Sequence, residues 1–160
     1  MPHLHKPTRE TSADHVDPQA VLAHPGETAV VVRARIRQRH RANWDLVCVV
    51  EQDGRLLGTL TATELLALPD DADLGAAAMR RHGPRVLPGT DQEMMASMAL
   101  HHGVAAVPVV DSVGRLVGVV GPARLMAILR REHVEDLHRL AGITREADRA
   151  LEAIEEPPLR

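Results

Sequence analysis

Several groups of side chains in this sequence have the types and spacing to do chemistry. Thr61 and Glu64 place a hydroxyl and a carboxylate three residues apart. That is also the spacing of a capping box, in which each side chain accepts a backbone N–H at a helix start. Glu132, Glu135 and Asp136 crowd three acids into five residues, and Glu93 is a fourth carboxylate upstream. Oxygen ligands of this kind suit Mg2+, a hard cation held by one or two carboxylates and several waters. The same acids would equally form the solvated face of an amphipathic helix. His101, His102, His133 and His138 invite a transition-metal reading, but adjacent helical residues face different ways, and 133/138 is not an i, i+4 pair. They read as surface or half-buried structural histidines. Arg33, Arg35, Arg37, Arg39 and Arg41 alternate strictly. That alternation spreads charge around a helix and reads as a solvated face, with phosphate binding as the alternative. There is no Gly-rich phosphate loop, no G-x-S-x-G and no Cys/His nucleophile pair, so the chain reads as non-enzymatic.

An internal repeat supplies the elements that must position these groups. Residues 45–68 align with residues 105–128 at an offset of 60, with nine identities in 24 positions. Gly54, Arg55, Leu56 and Gly58 recur as Gly114, Arg115, Leu116 and Gly118. Each copy has an apolar run, a short polar turn, a second apolar run and a helix, and the turn predicts a β-hairpin. Ahead of the second hairpin, Thr90 and Glu93 have capping-box spacing, Met94, Met95, Met98 and Ala99 form a helical stripe, and Gly103 supplies the stop. The Met stripe is core rather than a cofactor site. Ahead of the first hairpin, Val30, Val31 and Val32 favour a strand, but the repeat favours a helix from Pro25 to Arg41. Pro25 to Val50 is three residues longer than Pro88 to Val110, which places a small insertion near Asn43 and Trp44. After the second hairpin, Pro122 opens a helix whose apolar period continues to Gly142, and Thr144 to Ile154 reads as a further polar helix.

Composition bounds the function. The 160 residues are 44% apolar, enough for a core, with a formal charge of −3. Trp44 is the only aromatic residue besides histidine, which argues against a base-stacking nucleic-acid surface. Cys48 stands alone, so no intrachain disulfide can form, and a reducing, cytoplasmic setting fits. No segment approaches the length of a membrane-spanning helix, and the N-terminus lacks the apolar stretch of a signal peptide. It reads as a polar, disordered tail.

The repeated helix–hairpin–helix pattern, with Ala106 to Asp111 and Gly114 to Gly118 as its most specific pieces, resembles a tandem pair of CBS modules. Within that superfamily the sequence is similar to the cytosolic CBS region of MgtE-type magnesium transporters. The likeness rests on Thr90-Asp91-Gln92-Glu93, on the longer first module with Glu64 to Ala67 and Asp70 to Met79, and above all on Glu132 to Ile143, which resembles the segment joining the CBS pair to the membrane there. The resemblance implies an α+β fold of two small modules packed about a pseudo-twofold, with a C-terminal connecting helix. The expected division is a disordered tail over 1–22, module 1 over 23–80, module 2 over 81–130, and the linking helix and tail over 131–160.

The resemblance also assigns roles. CBS modules that bind adenosine nucleotides carry a Thr or Ser and an acid where hairpin meets helix. Thr61 and Glu64 stand at those positions in module 1, with Glu for the usual Asp; Gly121 and Arg124 replace both in module 2. ATP or AMP is therefore expected at the first site alone. Glu93, Glu132, Glu135 and Asp136 match positions used for Mg2+, although Ala123, Arg124 and Ala127 replace other acids of that cluster. A homodimer is implied, as is a membrane transporter domain in the same or a partner chain, with no nucleic-acid partner. Such transporters carry a helical domain before the CBS pair, where only about 20 residues stand here, and continue into membrane helices. The alternatives are a stand-alone CBS pair regulating a partner enzyme through adenine nucleotide, and a purely structural dimerisation module.

Overall fold

A computed structural model describes residues 9–39, 43–80, 83–131, 133, 134 and 137. The chain opens with a 3-10 turn, Ser12–His15, followed by β1 (Ala20–Ala23), α1 (Ala29–Gln38), β2 (Asn43–Val50), β3 (Leu56–Thr61), α2 (Ala62–Ala67) and α3 (Leu74–Met79). The second half has α4 (Gln92–His102), β4 (Val107–Val110), β5 (Leu116–Val120) and a helix, α5, over 122–131. The repeat is visible in the backbone. In sheet one, β1 runs parallel to β2, and β2 pairs antiparallel with β3. In sheet two, β4 pairs antiparallel with β5, and Val86 bridges Val109 in parallel, as Ala23 pairs with Val49. Both hairpins carry a register shift at matching places, Val49/Val50 and Val109/Val110, and both turns need a glycine at φ +86°, Gly54 and Gly114.

Burial explains why β2 and β4 are continuous apolar runs. Val47 and Val49 point to the helices, where they meet Val32, Leu65, Leu74 and Ala78. Leu46, Cys48 and Val50 point the other way, into a layer shared with Ala106, Val110 and Val119 of the second sheet. Alternate side chains leave opposite faces of a strand, so a strand covered on both faces must be apolar throughout. The second module repeats this, with Val107 and Val109 against Met95, Ala99, Leu125 and Ile128. Cys48 is fully buried between the sheets, and burial pushes its thiol up to about 12. The sheets are also joined through backbone: Leu56 N–H donates to Gly114 O at 2.9 Å, and Leu116 N–H donates to Gly54 O at 3.0 Å.

Three expectations need correction. Residues 9–22 are not a disordered tail. Ser12 N–H donates to Thr90 O at 2.7 Å, its hydroxyl to Leu87 O at 2.6 Å, and Asp17 exchanges two backbone hydrogen bonds with Val119. Its first part is polar because hydrogen bonds hold it, and the apolar residues that each pack into a core, Val16, Ala20 and Val21, are too few and too scattered to signal it. The N-cap of α4 is Asp91, not Thr90; the Asp91 carboxylate accepts from Glu93 N–H and Met94 N–H. Asp is as good a cap as Thr and lies one residue closer to the helix. The alternating arginines are not all solvated. Arg33 donates to Leu65 O and Leu68 O, both at 3.0 Å, and pairs with Asp70. Arg35 pairs with Glu27, which holds the Glu27 carboxyl below its usual range and raises the Arg35 guanidinium. The helix of 25–41 is present over the shorter span of α1, and Gly103 ends α4 at φ +64° as its type demands.

The two glycines that recur inside the strands mark a close approach. A Cβ on Gly58 would lie 2.4 Å from Ala78 O, and one on Gly118 would lie 2.5 Å from Asp17 O and 2.6 Å from the Val16 side chain. Gly58→Ala and Gly118→Ala are expected to destabilise the fold by about 1–3 kcal/mol each, the usual effect of overpacking. Gly89→Ala, where a Cβ meets nothing within 4 Å, should stay within about 0.5 kcal/mol. Urea unfolding of the three variants checks this; equal midpoints would refute it.

Candidate functional site

The pseudo-twofold leaves two clefts where one module meets the other. The first has a volume of about 830 Å³. Its module 1 wall is the start of β2 (Asp45, Leu46), the end of β3 and the first turn of α2 (Thr59, Thr61, Thr63, Glu64), with Arg80 after α3. Its module 2 wall is apolar: Pro84, Val104, Ala105 and Ala106. The second cleft, about 410 Å³, is walled by residues 14–18, Asp45 and Gly121 to Arg124.

Thr61 and Glu64 form the reciprocal cap that their spacing predicts. Thr61 Oγ1 accepts from Glu64 N–H at 3.2 Å, and the Glu64 carboxylate accepts from Thr61 N–H at 2.9 Å. The capping reading is thus realised, and both residues also line the larger cleft. The two roles are compatible, because an ionised carboxylate offers about four acceptor sites and a hydroxyl can both donate and accept. Module 2 has none of this: Gly121, Ala123 and Arg124 line its cleft at the places of Thr61, Thr63 and Glu64. Carboxylates on the crossing N-terminal segment take their place. Asp14 is held below the ordinary carboxylate range by the Thr11 N–H and then by its hydroxyl, at 2.7 and 3.1 Å.

The acidic group of the sequence is only partly in view. Glu93 is exposed on the first turn of α4, while Glu132, Glu135 and Asp136 lie outside the described residues. Among the described residues, no group of three His, Cys, Asp or Glu side chains is placed to hold a metal ion. His101 and His102 are exposed, their rings edge to face at 5.3 Å. Asp45 and Arg80 belong to the larger cleft but to no motif. The β2–β3 hairpin, which pairs Leu46 with Thr61, sets Asp45 beside that residue, whereas Arg80 comes from beyond α3 and is brought in by tertiary packing. No helix among the described residues is long and apolar enough to cross a membrane.

Comparison with known proteins gives these clefts a context. The CBS domain model matches residues 13–71 and again residues 72–131. The magnesium transporter MgtE of Thermus thermophilus is 34% identical over 97 residues, which cover 61% of this chain and 21% of that protein. MgtE of Enterococcus faecalis is 30% identical over 114 residues, 71% of this chain and 24% of that protein. The chain thus spans less than a quarter of the length of these relatives. The crystal structure of the soluble part of a magnesium transporter superposes with a TM-score of 0.71 at 25% identity, covering 77% of this chain and 48% of that one. The cytosolic domain of the Mg2+ channel MgtE in complex with ATP gives a TM-score of 0.65 at 24% identity, covering 74% and 48%. A CBS domain pair in complex with 5′-methylthioadenosine and S-adenosyl-L-methionine shares the fold at a TM-score of 0.64 and 20% identity, covering 78% and 99%. Two matched stretches, one for each copy of the repeat and together three-quarters of the sequence, place the chain in the CBS domain family as a tandem pair related to the cytosolic region of MgtE.

Proposed function

We propose that this chain is a regulatory sensor whose larger cleft takes an adenine nucleotide, ATP or AMP, and whose occupancy adjusts the two modules for a magnesium-transporter-like membrane domain. One observation carries the reading. Of two clefts related by the repeat, the one with Thr61, Glu64 and Arg80 has about twice the volume of the one with Gly121 and Arg124. Its size falls in the usual range for small-molecule sites, about 300–1,000 Å³. Glu64 and Asp45 suit ribose hydroxyls, the threonine hydroxyls and Arg80 suit phosphate, and the apolar wall from Pro84 to Ala106 suits a base. The ATP complex of an MgtE cytosolic domain supports that ligand class. A ligand held by both walls shifts their relation by no more than its differential affinity for the two arrangements. No reaction is assigned to the chain.

The reading extends to Mg2+ because both curated relatives are magnesium transporters. Glu93, Glu132, Glu135 and Asp136 are the proposed ligands. Acids so close in sequence repel one another, and a cation binding only the folded state stabilises it by mass action. A homodimer is part of the same proposal. Met94, Leu100 and Met126 on the module 2 helices are each more than 60% exposed, large apolar side chains that a second copy would cover.

Calorimetry is expected to give one ATP or AMP site per chain. Glu64→Gln keeps an acceptor for the cap and should weaken binding about tenfold or more, the loss of one charge-assisted hydrogen bond. Two equivalent sites, or unchanged affinity in that variant, would overturn the nucleotide assignment.

MgCl2 should raise the melting temperature beyond NaCl at equal ionic strength, and Glu135→Gln with Asp136→Asn should remove the difference. Equal shifts from both salts would reduce the effect to screening.

Light scattering should give a dimer mass that Met94→Glu with Met126→Glu converts to a monomer. A wild-type monomer would rule the assembly out.

A further inference from the structure

The second cleft lacks the Thr61 and Glu64 of the first, and what stands there instead has its own chemistry. In module 1 the start of α2 satisfies itself through the reciprocal cap of those two residues. In module 2 the residue ahead of α5 is Gly121, which has no side chain to cap with. Leu125 N–H is the first of that helix bonded to a carbonyl, Gly121 O at 3.1 Å. Ala123 and Arg124 therefore keep the open N–H groups of a helix start, where an anion is favoured. The Arg124 guanidinium lines the same cleft, is exposed and has no partner among the described residues. A guanidinium suits a carboxylate, which it can hold through two parallel hydrogen bonds.

The opposite wall is acidic and comes from the crossing N-terminal segment. Asp14 uses one carboxylate oxygen, Oδ2, on Thr11, and Asp17 uses Oδ1 on Gln19 N–H at 2.8 Å, which leaves each its other oxygen. His15 adds an acceptor of another kind. Its side chain is only 8% exposed and lines the cleft. Nε2 faces the Glu10 carboxylate at 3.1 Å and Gln92 Oε1 at 2.9 Å, both acceptors, so the neutral ring carries its proton on that nitrogen. Nδ1 is then a lone-pair acceptor with no partner among the described residues. It is not sealed off, because no fully buried side-chain N or O among those residues lacks a partner. A side chain so deeply buried, with an open nitrogen in a cleft wall, calls for a ligand that donates hydrogen bonds.

The two walls are thus opposite in kind, with donors and positive charge at α5 and acceptors and negative charge on the crossing segment. Neither a plain anion nor a plain cation complements both. We propose that this cleft binds a small zwitterion of the amino-acid class, its carboxylate on Arg124 and the first N–H groups of α5, and its ammonium among Asp14, Asp17 and His15 Nδ1. The volume, about 410 Å³, lies toward the lower end of the range for small-molecule sites, about 300–1,000 Å³. Such an occupant bears on the start of α5, in the module that the nucleotide does not enter. The assignment goes beyond the nucleotide reading and is independent of it, since the two clefts share Asp45 alone.

A ligand that binds only the folded state raises its melting temperature, so thermal unfolding of the full chain in each of the twenty L-amino acids, at millimolar concentration, selects the probe. The amino acid that stabilises most is then titrated by calorimetry beside its N-acetyl and carboxamide forms, which lack one charge each. One site per chain is expected for the free amino acid. Each derivative should bind about tenfold more weakly or worse, the loss of a charge-assisted hydrogen bond. Arg124→Gln and Asp17→Asn should each weaken the free amino acid by a similar factor. Asn keeps the acceptor for Gln19 N–H, and circular dichroism checks that both variants fold. The proposal is overturned if no amino acid raises the melting temperature, or if the N-acetyl or carboxamide form binds as well as its parent. It is also overturned if Arg124→Gln and Asp17→Asn leave the affinity intact, or if Glu64→Gln abolishes binding, which would put the amino acid in the larger cleft.

Discussion

The relation between the two modules rests on a reciprocal pair of backbone hydrogen bonds, Leu56 N–H to Gly114 O and Leu116 N–H to Gly54 O. Each donor opens the second strand of one hairpin, and each acceptor is the turn glycine of the other. Their positive φ lets those glycines close the turns while offering their carbonyls outward. A pair so fixed at one point brings the inner faces of the sheets together over Leu46, Cys48, Val50, Ala106, Val110 and Val119. The clefts are what remains where the walls diverge, so their shape follows from this contact rather than from their own residues.

On a scaffold copied so faithfully, the differences carry the function. The strand glycines, the turns and the bulges coincide in both halves, whereas the residues at the hairpin–helix junction do not. Thr61, Thr63 and Glu64 offer hydroxyls and a carboxylate; Gly121, Ala123 and Arg124 offer neither. The helices diverge likewise: counted from the N-caps Thr28 and Asp91, Arg37 and Arg39 of the first module stand where the second has Leu100 and His102. Duplication supplies the geometry twice, and substitution gives each copy its own surface chemistry.

Much of the fold is legible in sequence because its signals are local. The hairpins follow from apolar runs around glycine turns, and α4 from its stripe and Gly103. The repeat settles α1 as a helix against its three consecutive valines. What is not legible depends on long-range contacts. Residues 9–22 look unstructured because their partners, Leu87, Thr90, Gln92 and Val119, lie far along the chain. Of the candidate site, Thr61 and Glu64 can be read from spacing and Asp45 follows from the hairpin register, but Arg80 depends on how α3 packs and the wall from Pro84 to Ala106 on how the second module meets the first.

The crossing segments have a further consequence. The two matched stretches each give their opening residues to the other's core: Val16 packs with Met95 and Val120, while Leu74 and Ala78 pack with Val49 and Leu60. A sequence unit and a folding unit are therefore different objects, and a cut at 71/72 would leave two incomplete cores. Timing follows during synthesis. Ser12 binds Leu87, 75 residues later, and His15 binds Gln92 after 77. At about 5–20 residues per second the ribosome takes about 4–15 s to deliver those partners. Ser12–His15 must wait undocked through that interval, so a segment made before either core is among the last to find its place.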